Sequence, residues 1–425
     1  MVALLMAVLM ISLFLGFPLM VGLLLGPLAV LTVYMPDIQP FWLTGQVSAG
    51  VESFVLMAVP MFIFAADIMG TGQTSNRLLD FVNTFVGHIK GGLAITTAAT
   101  CTLFGAISGS TQATVVAVGK PMHEKLLKVG YRGSDVYALI INSANIALLI
   151  PPSVVMIMYA VMTGVSVGEL FIAGVGPGLL VLFFFSIYNY FDAKRKNIPV
   201  MAKSTWSEKL AITKKALLPL GFPAIIVGGI YLGLFSPTEA AAASVLYAAI
   251  LELFVYKSIT FKDIPKIALS SGMVTAVVFI LVAAGMGFAW IISLARIPQL
   301  ITSTLLGPNP SAYTVLWVVT AAFFIGCMFC DQLVVIIILA PIFAGPAIAA
   351  GIDPIHLGIV ITLQAAIGSA TPPFGCNIFT AAAVFKRPYL EIIRNTAPYF
   401  VMYAAISAIM IYFPQIALVT RNLLY

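Results

Sequence analysis

Two short polar segments interrupt long apolar runs in this chain. The segment GAISGSTQATV (105–115) places the hydroxyls of Ser108, Ser110 and Thr111 around a glycine. The segment GCMFCDQLVVI (326–336) carries Asp331 at the position that matches Ser110. An ionisable residue in such surroundings is costly and indicates a binding function. For any single serine, the alternative is close packing between helices, which small residues allow.

Two proline pairs break the chain in equally apolar surroundings, in IPPS (150–153) and TPPF (371–374). Proline has no N–H to donate, so carbonyls about one turn earlier, near Ala147 and Gly368, lose their partners. Such carbonyls are hard ligands that suit Na⁺. The helix that restarts after each break presents a positive end suited to an anion. The breaks therefore predict ion and substrate sites beside the two polar segments.

The elements that position these segments cross a membrane. Of 425 residues, 61% are hydrophobic and 8% are charged, whereas soluble domains carry about a quarter charged residues. Apolar windows of about 20 residues, the length that crosses a bilayer, recur along the chain. We therefore expect an all-α polytopic membrane protein, with two re-entrant helical hairpins that look too short for ordinary spans. The predicted spans are 4–34, 48–70, 134–163, 167–191, 216–235, 237–257, 272–294, 355–384 and 389–413, and the predicted hairpins are 92–127 and 311–350.

The positions of the charges predict the orientation. The net charge is +6. If each hairpin enters and leaves the membrane from the same side, all Lys and Arg residues except Arg296 and Arg421 lie on one side of the membrane. This pattern satisfies the positive-inside rule with the N-terminus cytoplasmic and the C-terminus periplasmic. The basic excess is therefore topological, and we expect no nucleic-acid partner.

The polar segments and the proline breaks belong to an internal repeat with an offset of 221 residues. The matches are Gly105 with Gly326, Gly130 with Gly351, Pro151 and Pro152 with Pro372 and Pro373, and Pro177 with Pro398. By the charge pattern, the two hairpins open to opposite sides. Inverted-topology repeats of this kind are typical of secondary transporters. The alternative is an ancient duplication with no present mechanism.

The order of these elements divides the chain into six parts. We predict scaffold spans with a first arm helix (1–91), a first transport repeat (92–191), a basic cytoplasmic loop (192–215), scaffold spans with a second arm helix (216–307), a second transport repeat (308–413) and a C-terminal tail (414–425). Enzyme chemistry is not indicated, because the sequence has no G-x-S-x-G elbow, P-loop, paired His ligands or Rossmann fingerprint.

Five segments, in this order and spacing, resemble the large membrane subunit of TRAP transporters (tripartite ATP-independent periplasmic transporters). They are GAISGSTQATVVAVG, IPPSVVMIMYAV, LFIAGVGPG, GIDPIHLGIV and ATPPFGCNIF. The resemblance implies an inverted-repeat elevator-type transporter of the bacterial inner membrane, in which a core of two hairpins and two broken helices moves against a scaffold. It implies two partners, a small four-helix membrane subunit and a periplasmic substrate-binding protein. It also implies uptake of an organic acid driven by Na⁺.

Carried over to this sequence, the resemblance implies two Na⁺ sites and a substrate site between the hairpin tips. The first Na⁺ site would use Ser108, Ser110, Asn145 and backbone near Pro151. The second Na⁺ site would use Gly326, Asp331, Gly368 and Thr371. The candidate substrate contacts are Ser110, Thr111, Asn142, Ser153 and Asn377.

The expected substrate follows from one departure from the family pattern. Many relatives have a small, Gly-containing segment before IPPS, whereas this chain has NSANIALLIPPS, with the amides of Asn142 and Asn145. This segment resembles the sialic-acid subgroup, so we expect sialic acid. The alternatives are a C4-dicarboxylate or another carboxylate, a stand-alone Na⁺/carboxylate symporter and, in a different class, a non-transporting membrane scaffold subunit.

Overall fold

Helices form the fold in the computed structural model, which describes residues 1–301, 304, 307 and 310–423. No strand occurs among these residues. Seven of their helices are long and apolar enough to cross a membrane, by length and composition. The predicted class, an all-α polytopic membrane protein, is confirmed. Parts of the predicted second arm helix, second repeat and tail lie outside the described residues, namely 302, 303, 305, 306, 308, 309, 424 and 425.

The first repeat and the helices before it fill the N-terminal half. The helices are α1 (Val2–Phe14), α2 (Leu19–Tyr34), α3 (Phe41–Val51), α4 (Ala58–Thr71), α5 (Thr74–Val86), α6 (Gly92–Ser108), α7 (Thr111–Thr114), α8 (Lys120–Lys128), α9 (Gly133–Ala144), α10 (Val154–Thr163) and α11 (Val167–Arg195). A 3-10 turn (Phe54–Met57) leads into α4, and a π-helical turn (Val115–Gly119) joins α7 to α8. A second 3-10 turn, Asn145–Leu148, follows α9 at the first proline break.

The second half repeats this order after three scaffold helices and a short helix. The helices are α12 (Trp206–Tyr231), α13 (Pro237–Ile250), α14 (Ile264–Leu294), α15 (Ile297–Ile301), α16 (Ala312–Phe329), α17 (Gln332–Ala349), α18 (Pro354–Ser369), α19 (Cys376–Phe385), α20 (Tyr389–Ile393), α21 (Ala397–Tyr412) and α22 (Gln415–Asn422). A π-helical turn, Leu251–Val255, extends α13. The starts of α6, α7, α9 and α10 correspond to those of α16, α17, α18 and α19 within one residue of the 221-residue offset.

The single span predicted at 4–34 is replaced by two helices. The chain reverses at Gly16, whose φ of +78° favours glycine. The helices α1 and α2 then pack antiparallel, because Gly22 lies against Leu9 and Gly26 against Leu5. The N-terminus therefore lies on the same side of the molecule as the end of α2.

Each hairpin packs directly on the broken helix of its own repeat. A Cβ added to Gly105 would lie 2.5 Å from Cα of Ala147, and one added to Gly368 would lie 2.2 Å from Cβ of Cys327. Only glycine permits so close an approach of two backbones. Both arms of the second hairpin, α16 and α17, contain 18 residues. By length and composition each of these two arms could cross a membrane, so length does not distinguish this hairpin from two spans.

Candidate functional site

A cavity of about 560 Å³ lies between two groups of helices. One wall contains both hairpin tips and the first break, with Ser110, Asp331 and Leu148. The opposite wall contains the scaffold helices α4 and α14, with Asp67 and Val278. Because both tips reach one cavity, the two hairpins meet in the interior of the molecule.

Oxygen atoms cluster at the first hairpin tip. Gly109 ends α6 in the left-handed region at φ +58°, and a Cβ there would lie 2.5 Å from the carbonyl oxygen of Pro152. Ser110 caps the next helix, since its Oγ accepts a hydrogen bond from the N–H of Ala113 at 3.4 Å. Oγ of Ser108 donates to the backbone oxygen of Ser110 at 3.3 Å and lies 3.2 Å from the hydroxyl oxygen of Thr114. Hydroxyl and carbonyl oxygens of this kind can coordinate a small cation.

Asp331 forms the second hairpin tip. Its Oδ1 accepts a hydrogen bond from the N–H of Leu333 at 2.9 Å and thereby caps α17. The residue is exposed where it lines the cavity. The tip is tied to the second break because the N–H of Phe374 donates to the carbonyl oxygen of Met328 at 3.0 Å. A carboxylate is therefore held by rigid backbone at the cavity wall.

A buried polar network joins the two repeats. Oδ1 of Asn145 accepts hydrogen bonds from Oγ of Ser369 at 2.8 Å and from Nδ2 of Asn377 at 2.7 Å. All three side chains are buried. Nδ2 of Asn377 also lies 3.3 Å from the carbonyl oxygen of Ile141. The two broken helices are thus linked by side chains from opposite halves of the sequence.

Only one predicted substrate contact, Ser110, is among the described residues that line the cavity. The other four are buried. Asn142 donates from Nδ2 to the carbonyl oxygen of Ala138 at 2.8 Å within its own helix, and Ser153 caps α10. Thr111 donates to the side chain of Gln112, and Asn377 belongs to the buried network. The amides that suggested sialic acid therefore do not face this cavity.

The first predicted Na⁺ set is partly assembled. Ser108 and Ser110 lie together on the tip, which abuts the break at Pro152, next to Pro151. The side-chain oxygen Oδ1 of Asn145, the third predicted ligand, already accepts two hydrogen bonds.

The second predicted Na⁺ set surrounds the second break. The carbonyl oxygen of Gly326 accepts from the N–H of Cys330 at 2.9 Å, and that of Gly368 accepts from Thr371 at 3.0 Å. The Thr371 hydroxyl donates to the carbonyl oxygen of Ile367 at 2.7 Å. Each carbonyl retains a second lone pair, so these bonds leave room for a cation. Asp331 is the member of this set that lines the cavity.

Sequence reasoning missed three polar residues of the cavity, Asp67, Gln112 and Gln332. Asp67 lies near the end of the predicted span 48–70, where an interfacial side chain is the default interpretation. The signal that could have identified it is its place in the apolar run PMFIFAADIMG (60–70). The two glutamines directly follow the serine-rich tip and Asp331, and only the folded hairpins show that they face inward.

Paired hairpins, two broken helices and a shared polar cavity define an inverted-repeat membrane transporter. The crystal structure of the YdaH transporter of Alcanivorax borkumensis, described as having an unusual topology, has the same fold. It aligns with a TM-score of 0.63 over 87% of each chain, at 14% sequence identity. This likeness supports the fold alone.

The chain belongs to the family described as tripartite ATP-independent periplasmic transporter, DctM component, whose model matches residues 5–416. It is 52% identical over 414 residues to the ectoine/5-hydroxyectoine TRAP transporter large permease UehC of Ruegeria pomeroyi, covering 97% of both chains. It is 54% identical over 415 residues to the ectoine TRAP transporter large permease TeaC of Halomonas elongata, again covering 97% of both. The C4-dicarboxylate TRAP transporter large permease DctM of Pseudomonas aeruginosa is 40% identical over 371 residues, or 87% of each chain.

The predicted family is confirmed: the chain is a large permease component of a three-part transporter and not an enzyme. Its apolar helices and its family make it a multi-pass inner-membrane protein. The expectation of sialic acid is not carried forward, because the three relatives above are named for ectoine and for C4-dicarboxylates.

Proposed function

We propose that this chain is the large membrane permease subunit of an importer for ectoine or 5-hydroxyectoine. The observation that carries the proposal is its identity of 52% and 54%, over 97% of the chain, to two permeases named for these solutes. The lower identity of 40% to a C4-dicarboxylate permease makes dicarboxylates the second candidate. A small four-helix membrane subunit and a periplasmic binding protein would complete the transporter.

We further propose that import is coupled to Na⁺ and proceeds by an elevator movement. The oxygen cluster at Ser108, Ser110 and Thr114 and the carboxylate of Asp331 are the ligands offered for the ion. The movement is suggested by the position of the cavity between the hairpin core and the scaffold helices α4 and α14. Sliding of the core along these helices would carry the hairpin tips, with a solute bound to them, across the membrane.

Uptake into proteoliposomes tests the function. They would contain this chain and its small subunit, with the binding protein outside, and would receive radiolabelled ectoine with or without an inward Na⁺ gradient. Uptake that needs both Na⁺ and the binding protein supports the proposal. Uptake of labelled succinate in place of ectoine would transfer the chain to the dicarboxylate transporters, and uptake without the binding protein would place it among stand-alone symporters.

Cross-linking tests the elevator. Ala66 on α4 and Ala113 on the first hairpin line the same cavity, one on each wall. In an Ala66→Cys/Ala113→Cys variant, a cleavable bifunctional maleimide should abolish uptake, and cleavage of the linker should restore it. Each single variant treated with the same reagent is the control. Full uptake by the linked double variant would exclude sliding at this interface.

A further inference from the structure

Asp67 is a carboxylate that the proposed ion sites do not use. It lies on the scaffold helix α4, within an apolar run, and is partly buried. Oδ2 accepts a hydrogen bond from the Ser271 hydroxyl of α14 at 2.5 Å. An acidic side chain within a membrane span is expensive and is retained where it binds something. Its partner must come from within the protein or from the solute that passes it.

Asp67 lies where two cavities meet. The cavity at the hairpin tips and a second cavity of about 620 Å³ share Ala66, Asp67 and Ala113 in their walls. The second cavity extends to Asp263 and Lys266, at the start of α14. A solute that leaves the hairpin tips by this route therefore passes Asp67.

The charge of the tip cavity favours a particular class of solute. Its described lining residues include two carboxylates, Asp67 on the scaffold and Asp331 on the second hairpin, and neither lysine nor arginine. Asp331 accepts a hydrogen bond from the N–H of Leu333 and is a ligand offered for the proposed Na⁺, whereas Asp67 accepts one from the Ser271 hydroxyl and has no such cation. A dianion would meet uncompensated repulsion at Asp67. A zwitterion could direct its cationic group there and its carboxylate toward the first hairpin tip.

We infer that Asp67 binds the cationic group of a zwitterionic substrate and thereby selects zwitterions over dicarboxylates. The inference rests on the proposed function, since ectoine is a cyclic amidinium that carries one carboxylate. Both amidinium nitrogens of ectoine lie in its ring and their N–H bonds diverge, so the Asp67 carboxylate would accept one charge-assisted hydrogen bond from one of them. Ser271 would hold the carboxylate in place for this contact.

The test compares variants of the complete transporter in the proteoliposome assay. Asp67→Asn removes the charge and keeps the shape, and Asp67→Glu keeps the charge. Asp37→Asn, on an exposed loop before α3, is the matched control. Monodisperse elution of the solubilised membrane pair first establishes that each variant folds.

We expect Asp67→Asn to slow ectoine uptake by about tenfold to a hundredfold, the loss typical of a hydrogen bond to a charged group. Asp67→Glu should retain more uptake than Asp67→Asn, and Asp37→Asn should match the unmodified protein. The Na⁺ concentration for half-maximal rate should stay unchanged in Asp67→Asn, which separates substrate binding from ion coupling.

The outcomes distinguish this inference from the proposed function. If the unmodified transporter imports succinate and not ectoine, the proposed substrate and the assignment of Asp67 both fail. If the unmodified transporter imports ectoine and Asp67→Asn does so at an equal rate, only the assignment fails. Asp67→Asn could instead change the Na⁺ concentration for half-maximal uptake and leave unchanged the dependence of uptake on substrate-loaded binding protein. That result would make Asp67 an ion ligand and overturn the inference.

Discussion

At the scale of single residues, Asp331 combines two roles that substitution can separate. Its side chain caps α17 through the N–H of Leu333, and its carboxylate lines the cavity. Asparagine caps helices about as well as aspartate, whereas alanine does not, at a cost of about 1 kcal/mol. Asparagine lacks the negative charge that a cation would bind.

We therefore predict that Asp331→Asn retains the thermal stability of the solubilised protein, and that Asp331→Ala loses about 1 kcal/mol. Both variants should need about tenfold more Na⁺ for half-maximal uptake. Thermal unfolding in detergent and uptake over a range of Na⁺ concentrations measure the two effects. Normal Na⁺ dependence of a stable Asp331→Asn variant would limit the residue to helix capping.

The sequence predicted the parts of the site that its motifs mark, but not their orientation. Ser108, Ser110 and Asp331 could be found because polar residues at the tips of apolar hairpins are conspicuous. The role of Ser369 could not be found, since its partner Asn145 is 224 positions away. The sequence also did not show that the side chain of Asn142 is buried within the protein, because packing fixes the rotation of α9.

At the scale of helices, close packing of the hairpins on the breaks depends on glycine. A Cβ at Gly368 would meet Cβ of Cys327 at 2.2 Å and its backbone carbonyl carbon at 2.8 Å. Because backbone atoms cannot move aside as a flexible side chain can, α16 and α18 would have to separate.

We predict that Gly368→Ala destabilises the protein by about 1–3 kcal/mol, as overpacking in a core does. Gly345→Ala is the control, since a Cβ at this exposed position of α17 meets nothing within 4 Å. Helix propensity should make that variant neutral or up to about 1 kcal/mol more stable. Equal melting temperatures for the two variants, measured in the same detergent, would contradict the close approach.

The C-terminal helix α22 is attached to the rest of the molecule by ion pairs. Nη1 of Arg421 lies 2.7 Å from Oδ2 of Asp353, which caps α18, and Nε lies 3.6 Å from Glu169 of α11. Burial alone would raise the pKa of Asp353, but the Arg421 guanidinium and the N–H groups of His356 and Ile355 hold it below its ordinary value. A carboxyl group whose pKa is lowered by folding stabilises the folded state at pH values above its ordinary pKa. This stabilisation is lost as the pH falls through the lowered pKa.

We predict that Arg421→Gln lowers stability by about 1 kcal/mol at pH 7. The difference from the unmodified protein should shrink as the pH falls below the ordinary aspartate pKa and through the lowered pKa of Asp353, where its carboxylate takes up a proton. Arg195→Gln, at an exposed position on α11, should change stability little at any pH. A deficit of Arg421→Gln that persists undiminished at pH 3 would show that packing, and not the ion pair, attaches α22.

The repeat was the part of the fold that sequence predicted best. Glycine and proline residues determine where helices can start and end. The offset of 221 residues between matching glycines and prolines therefore also relates the helix starts of the two halves. The reversal between α1 and α2 was missed because both helices are uniformly apolar, and hydropathy alone does not show where an apolar run turns back. Helix length likewise did not distinguish the second hairpin from two spans.

At the scale of the whole molecule, that reversal changes the predicted orientation of the N-terminus. The cytoplasmic assignment counted 4–34 as one crossing. In the structure α1 and α2 run antiparallel, so the first residue and residue 35 lie on the same side. The span Phe54–Thr71 follows and leads to Arg77, on the basic side that the positive-inside rule makes cytoplasmic.

We therefore predict a periplasmic N-terminus. An epitope tag placed ahead of Met1 should be removed by protease added to intact spheroplasts, whereas a tag inserted beside Lys203, in the basic loop between α11 and α12, should be protected until the membrane is disrupted. The side on which the second tag lies gives the orientation of the later membrane crossings, independently of the path of α1 and α2. Protection of both tags would mean that α1 and α2 cross the bilayer as a single span, and would return the N-terminus to the cytoplasm with the remaining topology unchanged.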